Sequence, residues 1–145
     1  PFEQLASTKV EALFADVRSY VYRGAKVDEQ VHLGFDLSKT ARAPVAAANH
    51  GKVVFAGDLG IYGKCVVIDH GYALQSIYAH LSEISAAAGQ AVRKGEIIGR
   101  SGDTGLAGGD HLHFSMQIGG VQTNPLEWWD PKWIGEKILA RLPAR

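Results

Sequence analysis

The seventeen glycines of this 145-residue chain, spaced between short apolar runs, set the main limit on its fold. Glycine marks turns and interrupts helices, so this spacing favours many short strands over long helices. From Tyr20 to Ile118 the apolar residues recur with a period of two, which is typical of half-buried strands. The predicted strands are Val31–Leu37, Lys52–Ala56, Cys65–His70, Gln75–Ala79, Ile97–Arg100 and His111–Ile118.

Both ends of the chain carry a helical pattern instead. The apolar residues between Phe2 and Val17 fit an amphipathic helix loosely, and those of Trp133–Leu142 fit a short closing helix after Pro125 and Pro131. A chain of this length has the usual size of one domain. We therefore expect a single, mainly β domain over residues 1–145, with a short helix at each end.

Charge and composition exclude several functional classes. Lysine and arginine together number 15, as do aspartate and glutamate, so the chain has no net charge and gives no electrostatic reason to bind nucleic acid. No apolar run approaches the roughly 20 residues of a membrane helix. Cys65 is the sole cysteine, so the chain has no disulfide partner, and we expect a buried thiol. Because the chain begins at Pro1 and its single methionine is Met116, we expect a processed or excised piece of a longer protein.

One predicted strand combines an imidazole and a carboxylate on the same face. Side chains alternate along a strand, so in Val31–Leu37 the apolar residues are expected to face the core. His32, Gly34 and Asp36 then share the opposite face. With glycine between the two polar side chains, a cation has room to approach the backbone.

A second predicted strand repeats this arrangement with two histidines. In His111–Ile118, the side chains of His111, His113 and Ser115 share one face. Two histidines on one strand face are costly to bury without partners. A metal removes that cost, because neutral imidazole is a good zinc ligand. The spacing does not distinguish which histidine of the pair binds the metal.

The number of ligands indicates the type of metal site. Two histidines and one carboxylate form the three-ligand set typical of catalytic zinc, which leaves a position open. Structural zinc usually has four ligands, often cysteines, and this chain has only Cys65. Zinc polarises carbonyl groups and activates water, and the remaining histidines could act as acid–base partners. The residues alone therefore predict a zinc-dependent hydrolase.

Three motifs follow one another along the chain in a recognisable order. They are His32-x-Gly34-x-Asp36, Tyr78-Ala79-His80-Leu81 and His111-Leu112-His113-Phe114. Supporting matches occur at Ala43-Pro44-Val45, Gly51-Lys52-Val53, Gly71, Gly95, Thr104-Gly105 and Asn124-Pro125. Together they resemble the lysostaphin-type, or LytM-type, zinc endopeptidases. The resemblance covers roughly residues 14–129, which we take as the core of the domain.

The resemblance implies both a fold and a division of roles among the polar residues. It implies a compact antiparallel β fold with a narrow groove over the metal. It implies that zinc is bound by His32, Asp36 and His113. It places His80 and His111 beside the metal as catalytic residues.

The resemblance also implies a substrate and a location. Members of this family cut peptide bonds in bacterial peptidoglycan, in stem peptides or in crosslinks. We therefore expect a peptidoglycan peptide as the substrate and an extracytoplasmic location in a bacterium. A membrane anchor or wall-binding module would lie outside this chain, and a monomer is the expected oligomeric state.

Two other functions compete with the peptidase hypothesis. Domains of this family that have lost metal ligands act as non-catalytic regulators of other wall hydrolases, but this chain keeps all five polar positions. A sugar-phosphotransfer carrier domain has a distantly similar β fold with paired histidines and needs no zinc. The His111-Leu112-His113-Phe114 and Tyr78-Ala79-His80-Leu81 motifs argue against the carrier.

Several other conspicuous residues are interpreted as structural. The family's tyrosine before the first zinc histidine has no obvious counterpart, since Tyr22 is placed differently. His50 is predicted to be a solvated loop residue, and His70 to make a structural hydrogen bond. Residues 102–109 are predicted to form a flexible wall of the groove. The C-terminal segment is predicted to be anchored by its tryptophans, Trp128, Trp129 and Trp133.

Overall fold

Short antiparallel strands make up most of the chain in the computed structural model, which describes residues 1–4 and 8–143. The strands are β1 (Lys9–Ala12), β2 (Val17–Tyr22), β3 (Ala25–Val31), β4 (Phe35–Ser38), β5 (Pro44–Ala46), β6 (Gly51–Asp58), β7 (Lys64–Asp69), β8 (Leu74–Ile84), β9 (Ala91–Val92), β10 (Ile97–Ser101), β11 (Leu112–Ile118) and β12 (Val121–Thr123). Two helices, α1 (Pro125–Trp129) and α2 (Pro131–Lys137), follow them, and short 3-10 turns cover Gly60–Tyr62 and Leu139–Arg141. The predicted mainly β fold is confirmed.

The strands form one large antiparallel sheet and one separate hairpin. The order in the large sheet is β1-β4-β11-β8-β7-β6-β9, while β10 pairs with β5 and β8, and β12 pairs with β11. Strands β2 and β3 pair only with each other among the described residues. In the centre of the large sheet, His113 of β11 lies opposite Asp36 of β4 on one side and Ala79 of β8 on the other. This register brings the three predicted motifs to adjacent strands.

The core lies mainly on one face of the sheet. Along β11 the side chains of Leu112, Phe114 and Met116 are buried in the main apolar cluster, as the period of two predicts. A smaller apolar cluster covers the other face and consists of Cys65, Val67, Ile77 and Ala79, with Phe55 and Tyr62 packed against it. The polar side chains of β11 share this second face, so they are buried close to apolar neighbours.

The strand predicted over Val31–Leu37 is interrupted. Strand β3 ends at Val31 and β4 begins at Phe35, so residues 32–34 bend between them. Val31 and Leu33 are 52% and 40% exposed, so the prediction that they face the core is wrong. The bend occurs where Gly34 passes His113: a Cβ on Gly34 would lie 2.5 Å from the carbonyl oxygen of Phe114. Close packing against β11 therefore overrides the alternation of a continuous strand.

The predicted N-terminal helix over Phe2–Val17 is wrong where the structure describes it. Residues 5–7 of that range lie outside the described residues, and Lys9–Ala12 form strand β1 on β4. The apolar side chains that suggested a helix do not share a buried face, since Val10 and Val17 are 38% and 62% exposed. Instead of forming a helix, residues 9–12 pair their backbone with the edge of β4.

The predicted C-terminal helix over Trp133–Leu142 exists but begins earlier and ends sooner. Helix α2 begins at Pro131 because the side chain of Asp130 accepts a hydrogen bond from the backbone N–H of Lys132 at 2.8 Å. Proline is well tolerated at this first helical position, where no intrahelical donor is needed. Among the described residues no helix has the length and apolar character to cross a membrane.

The tryptophans attach this C-terminal segment to the sheet, as predicted. Trp128 packs edge-to-face against Phe2, with ring centroids 5.9 Å apart, and Trp129 stacks on Phe114 at 5.5 Å. Trp133 packs against Trp128.

Candidate metal centre

Three predicted ligands converge at the junction of β4 and β11. Nε2 of His32 lies 2.9 Å from Oδ1 of Asp36 and 3.1 Å from Nδ1 of His113. Nδ1 of His113 completes the triangle at 3.0 Å from the same carboxylate oxygen. The antiparallel register that sets His113 opposite Asp36, together with the bend at residues 32–34, produces this convergence.

The chemistry of these three atoms fits a cation. Nδ1 of His32 lies 2.7 Å from the backbone carbonyl oxygen of Leu13, which can only accept, so Nδ1 carries the proton. In the neutral ring, Nε2 then carries a lone pair and no proton. This lone pair faces the carboxylate of Asp36, which is also a hydrogen-bond acceptor. A cation between them removes this repulsion, and the two-histidine, one-carboxylate set suits zinc.

The ring of His113 turns Nδ1 towards the other two candidate ligands, and its environment favours the neutral form. Among the described residues, Nε2 of His113 has no hydrogen-bond partner. Burial lowers the pKa of His113, although Asp36 opposes this effect, so the neutral ring is favoured. Neutral imidazole is the form that binds metals. Gly34 leaves the space for this ring, since a Cβ there would lie 2.8 Å from Nε2 of His113.

The carboxylate of Asp36 is held in its ionised form. Burial raises its pKa, but contacts with His113, His32 and Arg18 outweigh burial and hold the pKa of Asp36 well below its ordinary value. The guanidinium of Arg18 contacts Oδ2, which leaves Oδ1 turned towards the two histidines. An ionised carboxylate is the form required of a metal ligand.

Two further histidines lie beside the three candidate ligands. The rings of His80 and His111 are 4.9 Å apart, and the ring of His80 is 5.9 Å from that of His113. Nδ1 of His80 donates to the carbonyl oxygen of Thr104 at 2.8 Å, and Nδ1 of His111 donates to that of Gly109 at 2.7 Å. In both neutral rings Nε2 is therefore free to accept a proton.

The position of His111 and the protonation state of His80 both suit a role beside the candidate ligands. Nε2 of His111 is 3.6 Å from Oδ1 of Asp36. Burial lowers the pKa of His80, which favours its neutral form. A neutral imidazole beside a metal site is a suitable general base.

The site lies in a groove with two unlike halves. A cavity of about 470 Å³ on one side has mostly apolar and aromatic walls, which include Tyr20, Val31, Leu33, Ile61, Tyr62 and Leu106. A cavity of about 520 Å³ on the other side is lined by small and acidic residues, which include Glu11, Ser38, Gly108, Gly109 and Asp110. Arg18 lines both cavities. The predicted wall over residues 102–109 contributes Leu106 to both halves.

Sequence reasoning named five polar residues of this site but missed others. Arg18 and Tyr20 reach the groove from β2, whose exposed hairpin gave no signal of function. Of the two tyrosines of β2, Tyr20 lines the groove, while Tyr22 is 62% exposed. Tyr62, whose ring is 5.7 Å from that of His113, lies in a short turn between two glycines.

The residues set aside as structural behave as predicted. His70 lies 2.7 Å from both the carbonyl oxygen of His50 and Oγ of Ser76. His50 is an exposed loop residue. Cys65 is fully buried, and burial raises the pKa of its thiol to about 12.

The chain belongs to peptidase family M23, whose family model matches residues 30–125. This membership confirms the lysostaphin-type resemblance and is at odds with a phosphotransfer carrier.

Among curated proteins, the DD-carboxypeptidase/endopeptidase Mpg of Neisseria meningitidis serogroup B is 41% identical over 97 residues, which are 67% of this chain and 22% of that protein. The peptidoglycan DD-endopeptidase ShyA of Vibrio cholerae is 36% identical over 96 residues, or 66% of this chain and 22% of that protein. The chain thus spans about a fifth of the length of these relatives.

Solved structures show the same fold. The catalytic domain of the antimicrobial peptidase lysostaphin from Staphylococcus simulans matches with a TM-score of 0.71 and 26% identity, covering 83% of this chain and 91% of that chain. A zinc-containing peptidase from Vibrio cholerae matches with a TM-score of 0.73 and 27% identity, covering 85% of this chain and 37% of that chain.

Proposed function

We propose that this chain is the catalytic domain of a zinc-dependent endopeptidase that hydrolyses peptide bonds in bacterial peptidoglycan. The observation that carries the proposal is the convergence of Nε2 of His32, Oδ1 of Asp36 and Nδ1 of His113 at 2.9 to 3.1 Å from one another. The names of ShyA and lysostaphin, a peptidoglycan endopeptidase and an antimicrobial peptidase, support this substrate class. Such a substrate would place the working enzyme outside the cytoplasm.

His32, Asp36 and His113 would hold the zinc ion. When bound, zinc would polarise the scissile carbonyl group and lower the pKa of water enough to make it a nucleophile near neutral pH. Arg18 would keep the carboxylate of Asp36 ionised and turned towards the ion. The backbone carbonyl of Leu13 would keep the proton of His32 on Nδ1, away from the ligand atom.

His80 and His111 would move the proton. Each ring donates through Nδ1 to a backbone carbonyl, so each presents an unprotonated Nε2. Either nitrogen can take the proton of the attacking water. The resulting imidazolium would stabilise the negative charge that develops on the carbonyl oxygen, and would then return the proton to the leaving amine.

The groove would hold an extended peptide across these five residues. Its apolar half and its small, acidic half offer different surroundings to the two sides of the scissile bond. An open groove suits a polymeric substrate, because the peptide can enter without threading its ends.

Digestion of purified peptidoglycan tests the function. The chain is incubated with sacculi, with and without a chelator, and the released fragments are analysed by mass spectrometry. We expect new amine and carboxyl ends at a single type of peptide bond, which disappear with the chelator and return with zinc. Stoichiometric zinc without any cleavage would contradict the proposal, and a chain that binds no zinc would instead indicate a non-catalytic regulator.

A further inference from the structure

The backbone at His80 departs from that of an ordinary strand. His80 has a φ of +59°, in the left-handed region that non-glycine residues rarely adopt. It lies at a bulge: Val66 of β7 pairs with Tyr78 and Lys64 pairs with Leu81, so β8 contains one extra residue there. Bulges next to active sites redirect a side chain, and this conformation persists only if its surroundings hold it.

Thr104 holds both strands at this bulge. Its hydroxyl group donates to the carbonyl oxygen of Leu81 at 2.6 Å and accepts from the backbone N–H of Lys64 at 3.0 Å. Leu81 directly follows His80, and Lys64 is its cross-strand partner. The backbone carbonyl oxygen of Thr104 in turn accepts a hydrogen bond from Nδ1–H of His80.

Two glycines allow the loop of Thr104 to pack closely against the turn before β7. A Cβ on Gly63 would lie 2.5 Å from the backbone nitrogen of Gly105, and one on Gly105 would lie 2.8 Å from Cα of Gly63. Both glycines have positive φ, so the two loops pack backbone against backbone. The N–H of Leu106 also donates to the carbonyl oxygen of Ile61 at 2.8 Å. The loop that carries Thr104 is therefore held against the turn before β7, and the hydroxyl group of Thr104 links this loop to Leu81 and Lys64 at the bulge.

We propose that Thr104 is the positioning residue for His80. Its hydroxyl group holds the bulge together, and its carbonyl keeps the proton of His80 on Nδ1, so that Nε2 faces the groove as a proton acceptor. This inference rests on the proposed function, in which His80 moves a proton. The side chain of Thr104 lies outside the three ligands, so it acts on the rate through His80 and not through the metal.

Two substitutions at Thr104 remove the hydroxyl group, and a third, conservative substitution retains it. Thr104→Val keeps the shape but removes the hydroxyl group, Thr104→Ala removes it without added bulk, and Thr104→Ser retains it. Thr40→Val, at an exposed bend, is the control. We expect the Val and Ala variants to bind one zinc per chain and to lose about 10-fold in kcat with KM unchanged. Thr104→Ser and Thr40→Val should behave as the unmodified chain.

The position of the proton gives a readout that does not depend on activity. Long-range ¹⁵N–¹H spectra of the zinc-loaded chain distinguish protonated from unprotonated imidazole nitrogens, and His80→Gln identifies the signals. We expect Nδ1–H in the unmodified chain and a mixture of tautomers in the Val and Ala variants.

Several results would overturn the inference: Nε2–H on His80 in the unmodified chain, a tautomer unchanged by removal of the hydroxyl, or a tautomer that changes while kcat does not. If the Val variant does not fold, the Ala variant decides. An unmodified chain that cuts no peptidoglycan defeats the proposed function, whereas the spectra still decide what Thr104 does to His80.

Discussion

Arg18 reaches Asp36 from a different sheet: its guanidinium, on strand β2, contacts Oδ2 of a carboxylate on β4. The other oxygen of that carboxylate faces His32 and His113. An arginine outside the residues matched by the family model thus orients a candidate metal ligand. The hairpin that carries it also forms a wall of the groove, so the contact with Asp36 and the shape of the groove depend on the same element.

Loss of this contact should weaken metal binding. We expect Arg18→Ala to lower zinc affinity by about 10- to 100-fold, because Asp36 would lose the partner that orients it. Competition with a chromogenic chelator measures the affinity. Arg23→Ala, at the turn of the same hairpin, where the guanidinium lies over Tyr22, serves as the control and should bind zinc normally. Equal affinities in the two variants would mean that Arg18 does not orient the ligand.

The close approach at Gly34 should tolerate no side chain. In Gly34→Ala, the added Cβ would meet the carbonyl oxygen of Phe114 at 2.5 Å and the ring of His113 at 2.8 Å. We expect a loss of about 1–3 kcal/mol in the free energy of unfolding, together with weaker zinc binding. Urea denaturation measures the first effect. Gly135→Ala, where a Cβ meets nothing within 4 Å, should be no less stable than the unmodified chain.

His80 and His111 should be needed for catalysis and not for metal binding. We expect His111→Ala and His80→Ala each to keep one zinc per chain and to lose at least about 100-fold in kcat, because each removes a proton acceptor. Elemental analysis and release of peptidoglycan fragments give the two readouts. His50→Ala, at an exposed loop position, is the control. Full cleavage by His111→Ala would refute its assigned role.

Stability should fall at alkaline pH because of Cys65. Burial raises the pKa of this thiol to about 12, whereas in the unfolded chain it ionises at about 8.5. Above that pH the unfolded state loses a proton that the folded state keeps, so rising pH favours unfolding by up to about 1.4 kcal/mol per pH unit. Urea denaturation at pH 7 and pH 10 measures this loss. Cys65→Ala should show a smaller loss, and an identical loss would assign the effect to other groups.

The sequence predicts the central strands and the faces of their side chains well, for reasons visible in β11. A period of two places Leu112 and Phe114 in the core and His113 on the opposite face, and the structure keeps this alternation. Alternation alone could not separate His111 from His113, because both lie on that face. The distinction comes from the register with Asp36, which is a property of two strands together.

Other features depend on contacts that no local pattern records. The bend at Gly34 results from close packing against β11, so alternation wrongly placed Val31 and Leu33 in the core. The proton position of His32 depends on a backbone carbonyl, that of Leu13, which has no side-chain signature. The apolar spacing of residues 2–17 is helical, yet Lys9–Ala12 pair with the edge of β4, a contact that the spacing does not record.

Zinc content measured across single variants tests the central claim most directly. Each purified chain is loaded with zinc, dialysed and analysed for bound metal, with folding followed by circular dichroism. We predict one zinc per chain in the unmodified protein and in His111→Ala, and almost none in folded His32→Ala, Asp36→Ala and His113→Ala. Stoichiometric zinc in folded His113→Ala, or none in the unmodified chain, would contradict the assignment of these three residues as the metal site.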